Sequence, residues 1–194
     1  MKLLQLNTWM GKLNLPIMRF LEAERPDILC LQEVFSSPDG EILVPDIFGG
    51  LEVITQATGH QHCFFAPTWS NTYGGATVHF GTAIISKFPL LDQETIFING
   101  RYDPHPAQKL ESINNRHLQL ARVEAGGTSF TVANQHAYWQ LDPLGNQTTI
   151  DSMAKVKARL QAVQTPLIFA GDLNITSDSP AMRVFDDFLE DLIY

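Results

Sequence analysis

Four apolar segments of this chain each end in the same kind of polar group: Asn7, Gln32-Glu33, Asn134-Gln135-His136 and Asp172-Leu173-Asn174. Carboxylates such as Glu33 and Asp172 can hold a hard cation or take a proton from water. An imidazole such as His136 can donate or accept a proton near neutral pH. Amides such as Asn7, Asn134 and Asn174 form hydrogen bonds without adding a charge that would repel an anion. Residues two apart in an extended segment point the same way, so Asp172 and Asn174 would project together. Taken singly, each ending reads more readily as a satisfied strand end, and Asp172 could equally cap the turn that follows it. A core needs none of these residues, and their recurrence on four strands points to one shared polar centre.

The elements that would carry them can be read from the apolar pattern. Residues 2–8 and 27–33 read as strands joined by a helix with Asn14 at its N-cap, Pro16 in its first turn and Ile17, Phe20 and Leu21 as its apolar stripe. A loop is expected over 36–45, then a helix on Ile47, Leu51 and Ile54 that stops at Gly59. Strands follow at 61–66, 81–86 and 94–98, with turn-rich loops at 69–75 and 99–115. Residues 116–124 and 128–136 form a hairpin about Ala125-Gly126-Gly127. Ile150, Met153, Val156, Leu160 and Val163 mark a helix, and Leu167–Ala170 reads as a strand buried on both faces. Ser179 and Pro180 should open a last helix bearing Met182, Phe185, Phe188 and Leu189. Hairpins mixed with helical crossovers predict α/β or α+β layers containing antiparallel pairs.

Composition sets the outer limits. The 194 residues, 44% hydrophobic and 18% charged, are expected to form one globular domain. A net charge of −8 argues against broad electrostatic grip on a polyanion, unless a local basic pocket or a bound cation supplies the positive charge. No signal-peptide pattern or membrane-spanning apolar run is visible, so no stable membrane insertion is expected. Cys30 and Cys63 read as buried thiols of a reducing, cytoplasmic compartment. Arg101, Tyr102, His105, Lys109 and Arg116 fit either a solvated loop or a substrate rim, and Trp69, Tyr73 and Trp139 fit either packing anchors or stacking platforms.

Several segments together resemble the successive motifs of the DNase-I-like endonuclease/exonuclease/phosphatase superfamily. They are Leu6-Asn7-Thr8-Trp9, Pro26-Asp27-Ile28-Leu29-Cys30-Leu31-Gln32-Glu33-Val34, the run from Gly81 to Pro89, Asn134-Gln135-His136 and Gly171-Asp172-Leu173-Asn174. The resemblance implies a four-layer α/β/β/α sandwich and a phosphoester hydrolase, in particular a phosphodiesterase, that uses Mg²⁺ or Mn²⁺. It further implies Glu33 as metal ligand, Asn7 in the metal and phosphate shell, and Asn134 near the substrate. Asp172 would activate water, Asn174 would hold that water or a phosphate oxygen, and His136 would donate to the phosphate or leaving oxygen. The substrate would be a phosphoester: a nucleic acid, a phospholipid head group or a small phosphate ester. No Asp-His dipeptide occurs in the chain, whereas the family pattern ends in one. The expectation is therefore a single domain over 1–194, truncated at the C-terminus, lacking the closing strands of its second sheet and showing little activity by itself. The contrasting expectation is a catalytically silent domain that binds metal or a partner.

Overall fold

A computed structural model describes residues 1–37, 50–73, 75–104 and 114–192. Of the loop expected over 36–45, Ser36 is instead the last residue of a strand and residues 38–45 lie outside the described residues, as do Ile47, His105 and Lys109.

Two four-stranded mixed sheets lie face to face. The first contains β1 (Leu3–Asn7), β2 (Ile28–Ser36), β3 (His62–Tyr73) and β4 (Ala76–Ser86), in the order β1-β2-β4-β3. The second contains β5 (Leu90–Asn99), β6 (Arg116–Ala125), β7 (Thr128–His136) and β8 (Leu167–Asp172), in sequence order. Helices α1 (Asn14–Glu24) and α2 (Gly50–Thr58) cover the first sheet through Ile17, Leu21, Leu51 and Ile54. Helix α3 (Gln147–Gln161) covers the second through Met153, Val156 and Leu160. Ile28, Cys30, Ile84, Ala121, Val123 and Val132 fill the space between the sheets. These three apolar layers make the expected α/β/β/α sandwich. Among the described residues, no helix is long and apolar enough to cross a membrane.

Several local expectations are corrected. Residues 69–73 are not loop but the end of β3, because Trp69 stacks on Phe80 of β4 at 5.0 Å between centroids. Phe20 is exposed, while Ile17 and Leu21, four apart on one face of α1, are buried. The last helix is only a 3₁₀ turn, Met182–Phe185, although Ser179 Oγ does accept from the Met182 N–H at 3.1 Å. Leu167–Ala170 is half-buried throughout: among the described residues β8 pairs only with β7 and is an edge strand. Cys30 is buried but Cys63 is exposed. By contrast α3 starts as its sequence asks, with Asn146 and Thr149 closing a reciprocal capping box.

A polar ladder crosses the otherwise apolar interior. Gln5 Nε2 donates to Gln32 Oε1 at 2.6 Å, and Gln32 Nε2 donates to Asn134 Oδ1 at 2.7 Å. Asn134 Nδ2 and Thr82 Oγ1 both donate to Gln119 Oε1, at 3.0 and 2.6 Å. His117 Nε2 lies 2.8 Å from the same Thr82 oxygen, which is left to accept because its hydrogen points to Gln119. His117 Nδ1 is buried without a partner.

Burial, reinforced by the charge of Arg116, lowers the His117 pKa to about 4. The unfolded chain therefore binds the extra proton between about pH 6.5 and pH 4, and this part of the stability is lost as pH falls through that window. The loss should approach about 3 kcal/mol at the acid end. Urea unfolding at about pH 7 and pH 5 checks it. His117→Gln should flatten the fall, and an unchanged slope would refute the assignment.

Candidate active site

The topology brings the four polar endings together. β1 runs parallel to β2 with Asn7 opposite Gln32, and β7 runs parallel to β8 with His136 opposite Asp172. Parallel pairing places carboxyl-terminal ends side by side. β1 and β8 also lie next to each other across the two sheets, and Asn7 Nδ2 donates to Asp172 Oδ2 at 2.7 Å and to Glu33 Oε1 at 3.1 Å.

Glu33 reaches this point through a bulge. Leu31 pairs with Ala83 and Val34 with Gly81, so Gln32 and Glu33 together face Thr82. Glu33 takes φ 56, a left-handed conformation that a glutamate adopts at a cost. Thr8 holds the bulge, its Oγ1 donating to Glu33 O at 2.9 Å and its N–H to Gln32 O at 2.9 Å. Gly81 is required opposite, because a Cβ there would sit 2.0 Å from Ala66 O. The Glu33 side chain is 19% exposed, and its Oε2 is buried with no hydrogen-bond partner.

Asp172 uses each oxygen once, Oδ2 for Asn7 and Oδ1 for the Asn174 N–H at 3.1 Å. Asn174 is left-handed, at φ 56, and donates Nδ2 to Ala137 O at 3.1 Å. The segment is thus both a capped turn and part of the polar centre. Asn7, Asp172 and Asn174 line an open cleft of about 790 Å³, together with Gln5, Trp139 and Leu141.

His136 is held by Arg116, which the sequence offered as part of either a solvated loop or a substrate rim. Arg116 Nη1 donates to His136 Nδ1 at 2.9 Å, which leaves the ring proton on Nε2, 3.9 Å from Glu33 Oε1. Burial first, then the charges of Arg116 and His117, keep the His136 pKa well below 6.5, so the ring is neutral at pH 7. Arg116 is 5% exposed. Burial lowers its pKa to about 10 while Glu33 and Asp172 oppose that shift, so it remains a cation facing two carboxylates. Its place beside a long basic loop suggested a solvated rim; its register as the first residue of β6, next to the buried run of that strand, was the signal for burial.

One expected role is corrected. Asn134 is fully buried, and its side chain is spent on Gln32, Gln119, Leu31 O and Ala83 O, so it organises the interior and does not meet substrate. Asn7 Oδ1 accepts the Trp9 N–H at 2.8 Å, and Nδ2 bridges the carboxylates of Glu33 and Asp172. Among the described residues no three His, Cys, Asp or Glu side chains gather as a metal cage. An ion that prefers oxygen and retains several waters needs no such cage, and the unpartnered Glu33 Oε2 fits it.

A sequence profile described as the Endonuclease/Exonuclease/phosphatase family matches residues 4–192. The chain belongs to that family. The family comprises phosphoester-cleaving hydrolases, and its fold accounts for the site's position where strands of both sheets end. The endonuclease/exonuclease/phosphatase chain is similar to the human Nocturnin catalytic domain with bound sulfate, at 20% identity and TM-score 0.64, covering 97% of this chain and 69% of that one. It is similar to sphingomyelinase C from Streptomyces griseocarneus at 18% identity and TM-score 0.63, covering 96% and 68%. It is also similar to D. rerio TDP2 complexed with single strand DNA product, at 18% identity and TM-score 0.61, covering 95% and 64%. The chain thus spans about two-thirds of each of these structures. A search of curated protein sequences finds no match.

Proposed function

We propose that this member of the endonuclease/exonuclease/phosphatase family hydrolyses a phosphodiester with the help of Mg²⁺ or Mn²⁺. The observation that carries the proposal is the Glu33 Oε2 atom, buried, charged and unpartnered at the tip of a strained bulge. Such an atom costs stability unless a cation takes it up. A bound divalent ion would polarise the phosphoryl oxygen and offset the charge that develops there.

The chain's own residues supply the rest. Asp172 keeps free lone pairs after its two hydrogen bonds and faces the cleft, so it can take the proton of an attacking water. The new P–O bond forms as the bond to the leaving oxygen breaks, and the departing oxygen is protonated from solvent. His136 remains neutral and keeps its Nε2 proton, which it can offer to a phosphoryl oxygen as a hydrogen bond. Arg116 fixes that tautomer and adds a positive charge for an anionic substrate. The Asn174 turn holds Asp172 Oδ1 in place. A sphingomyelinase and a structure holding a DNA product among the similar proteins support a phosphoester substrate. The charge of −8 favours substrates that present few phosphates at once.

Thermal unfolding with and without Mn²⁺ tests the metal role. At metal about 100-fold above Kd the wild-type chain should gain about 2.7 kcal/mol, and Glu33→Gln should lose that gain. A metal-dependent shift of the same size in Glu33→Gln would remove Glu33 as the ligand.

A further inference from the structure

The left-handed turn that aims Glu33 is held from the neighbouring strand. A bulge with a residue of this hand ordinarily places glycine there, because a side chain at positive φ is costly. Glu33 keeps its side chain at φ 56, so its backbone needs a restraint. The Thr8 hydroxyl lies 2.9 Å from Glu33 O and 3.2 Å from Gln32 O, and shares its single hydrogen between them. Gln32 O is already served by the Thr8 N–H at 2.9 Å, so the distinctive partner of the hydroxyl is Glu33 O. We infer that Thr8 is a positioning residue: its hydroxyl fixes the Glu33 turn before any ligand arrives, and thereby sets the affinity of Glu33 for its cation. The effect on affinity rests on reading Glu33 as a metal ligand; the effect on the turn does not.

Thr8 leaves its ordinary task undone. It precedes the 3₁₀ turn Trp9–Gly11, where a threonine hydroxyl ordinarily accepts from the N–H groups of its own turn. Thr8 forms no such bond. The Trp9 N–H goes to Asn7 Oδ1 instead, and the Thr8 hydroxyl crosses to β2. The residue is 4% exposed and branched at Cβ, so its hydroxyl has few rotamers and no easy path to water. The two neighbours on β1 then act together on Glu33. Thr8 holds its main chain, and Asn7 Nδ2 holds its Oε1 at 3.1 Å, which leaves Oε2 buried and unpartnered. Loss of the hydroxyl would let Glu33 relax toward negative φ and carry that oxygen from its place. Groups that orient a metal ligand without touching the ion change affinity by about 10- to 100-fold when removed.

Two readouts on the 194-residue chain test this, and neither needs turnover. The first is made in EDTA. A residue at positive φ gives a strong intraresidue HN–Hα Overhauser effect, which Glu33 should show in the wild type and in Thr8→Ser but lose in Thr8→Val. The second is the Mn²⁺ affinity, taken from thermal shifts over a range of Mn²⁺ concentrations. Thr8→Val should weaken it about tenfold or more, whereas Thr8→Ser, which keeps the donor, should stay within about threefold of wild type. Circular dichroism verifies the fold. If Thr8→Val does not fold, Thr8→Ala removes the same donor without setting a methyl against the two carbonyls and is read in its place. A threonine that serves the fold alone would lower the melting temperature and leave the Mn²⁺ affinity unchanged, which overturns the positioning role. So does a Glu33 signature that persists without the hydroxyl, one that the wild type shows only after Mg²⁺ is added, or a Thr8→Ser form that behaves as Thr8→Val does. If the wild type takes up no Mn²⁺, Glu33 falls as the metal ligand, and the Overhauser signature alone then decides for or against Thr8.

Discussion

Asp172→Asn should lower cleavage of an activated aryl phosphodiester by about 10²-fold or more while costing the fold only about 1 kcal/mol. The asparagine oxygen can still accept from one donor. Its amide group, however, would then face either the Asn7 Nδ2 or the Asn174 N–H, donor against donor. That modest mismatch explains the small stability cost. The large kinetic loss follows because an amide cannot take the proton from water. His136→Ala should lose a comparable factor, since it removes the Nε2–H donor and leaves Arg116 Nη1 without its acceptor. An aryl leaving group and single-turnover conditions bring a slow chain within reach of measurement. Unchanged turnover in both variants would remove these residues from the chemistry.

Gly171→Ala should damage fold and site at once. A Cβ at 171 would lie 2.2 Å from Gln135 O and 3.0 Å from the Gln135 backbone carbon and nitrogen. Main-chain atoms of β7 cannot turn aside as a side chain can, so β8 must move away from its partner. Overpacking of this kind costs about 3 kcal/mol, which is roughly 6–12 °C in melting temperature for a chain of this size. Among the described residues β8 is paired on one side only, so it should detach first. Hydrogen exchange at Ala170 to Asp172 should rise, and because His136 and Asp172 stand opposite one register step on, the metal-linked gain in stability should shrink with it. A melting temperature within about a degree of wild type would contradict the packing argument.

The polar centre was largely legible in the sequence because its residues end apolar runs. Two parallel strand pairs then bring Asn7, Glu33, His136 and Asp172 to one place without help from distant loops. What was not legible depends on partners in space. The left-handed turn of Glu33 arises from a mismatch with β4, which the local pattern of β2 does not display. Arg116 follows a stretch rich in polar and turn residues and looks solvated until β6 and β7 enclose it beside His136. Asn134 looked like a site residue because the family resemblance includes its motif; its place one pleat deeper than His136 commits it to the interior. The apolar run of β8 resembled a central strand, and only the strand order shows that among the described residues it pairs with β7 alone.

The amide ladder from Gln5 to His117 has a mechanical consequence. Two apolar faces can slide over one another by fractions of a residue at little cost, because dispersion contacts are many and individually weak. Gln32, Asn134 and Gln119 forbid that glide: Asn134 must reach Gln32 in one layer and Gln119 in its own, and it also fastens to the Leu31 and Ala83 carbonyls. The ladder therefore works as an alignment pin that fixes the lateral offset between the layers. Glu33 and Asp172 stand on opposite layers, so the spacing between the two carboxylates is calibrated by Gln32, Asn134 and Gln119, which are buried between the sheets.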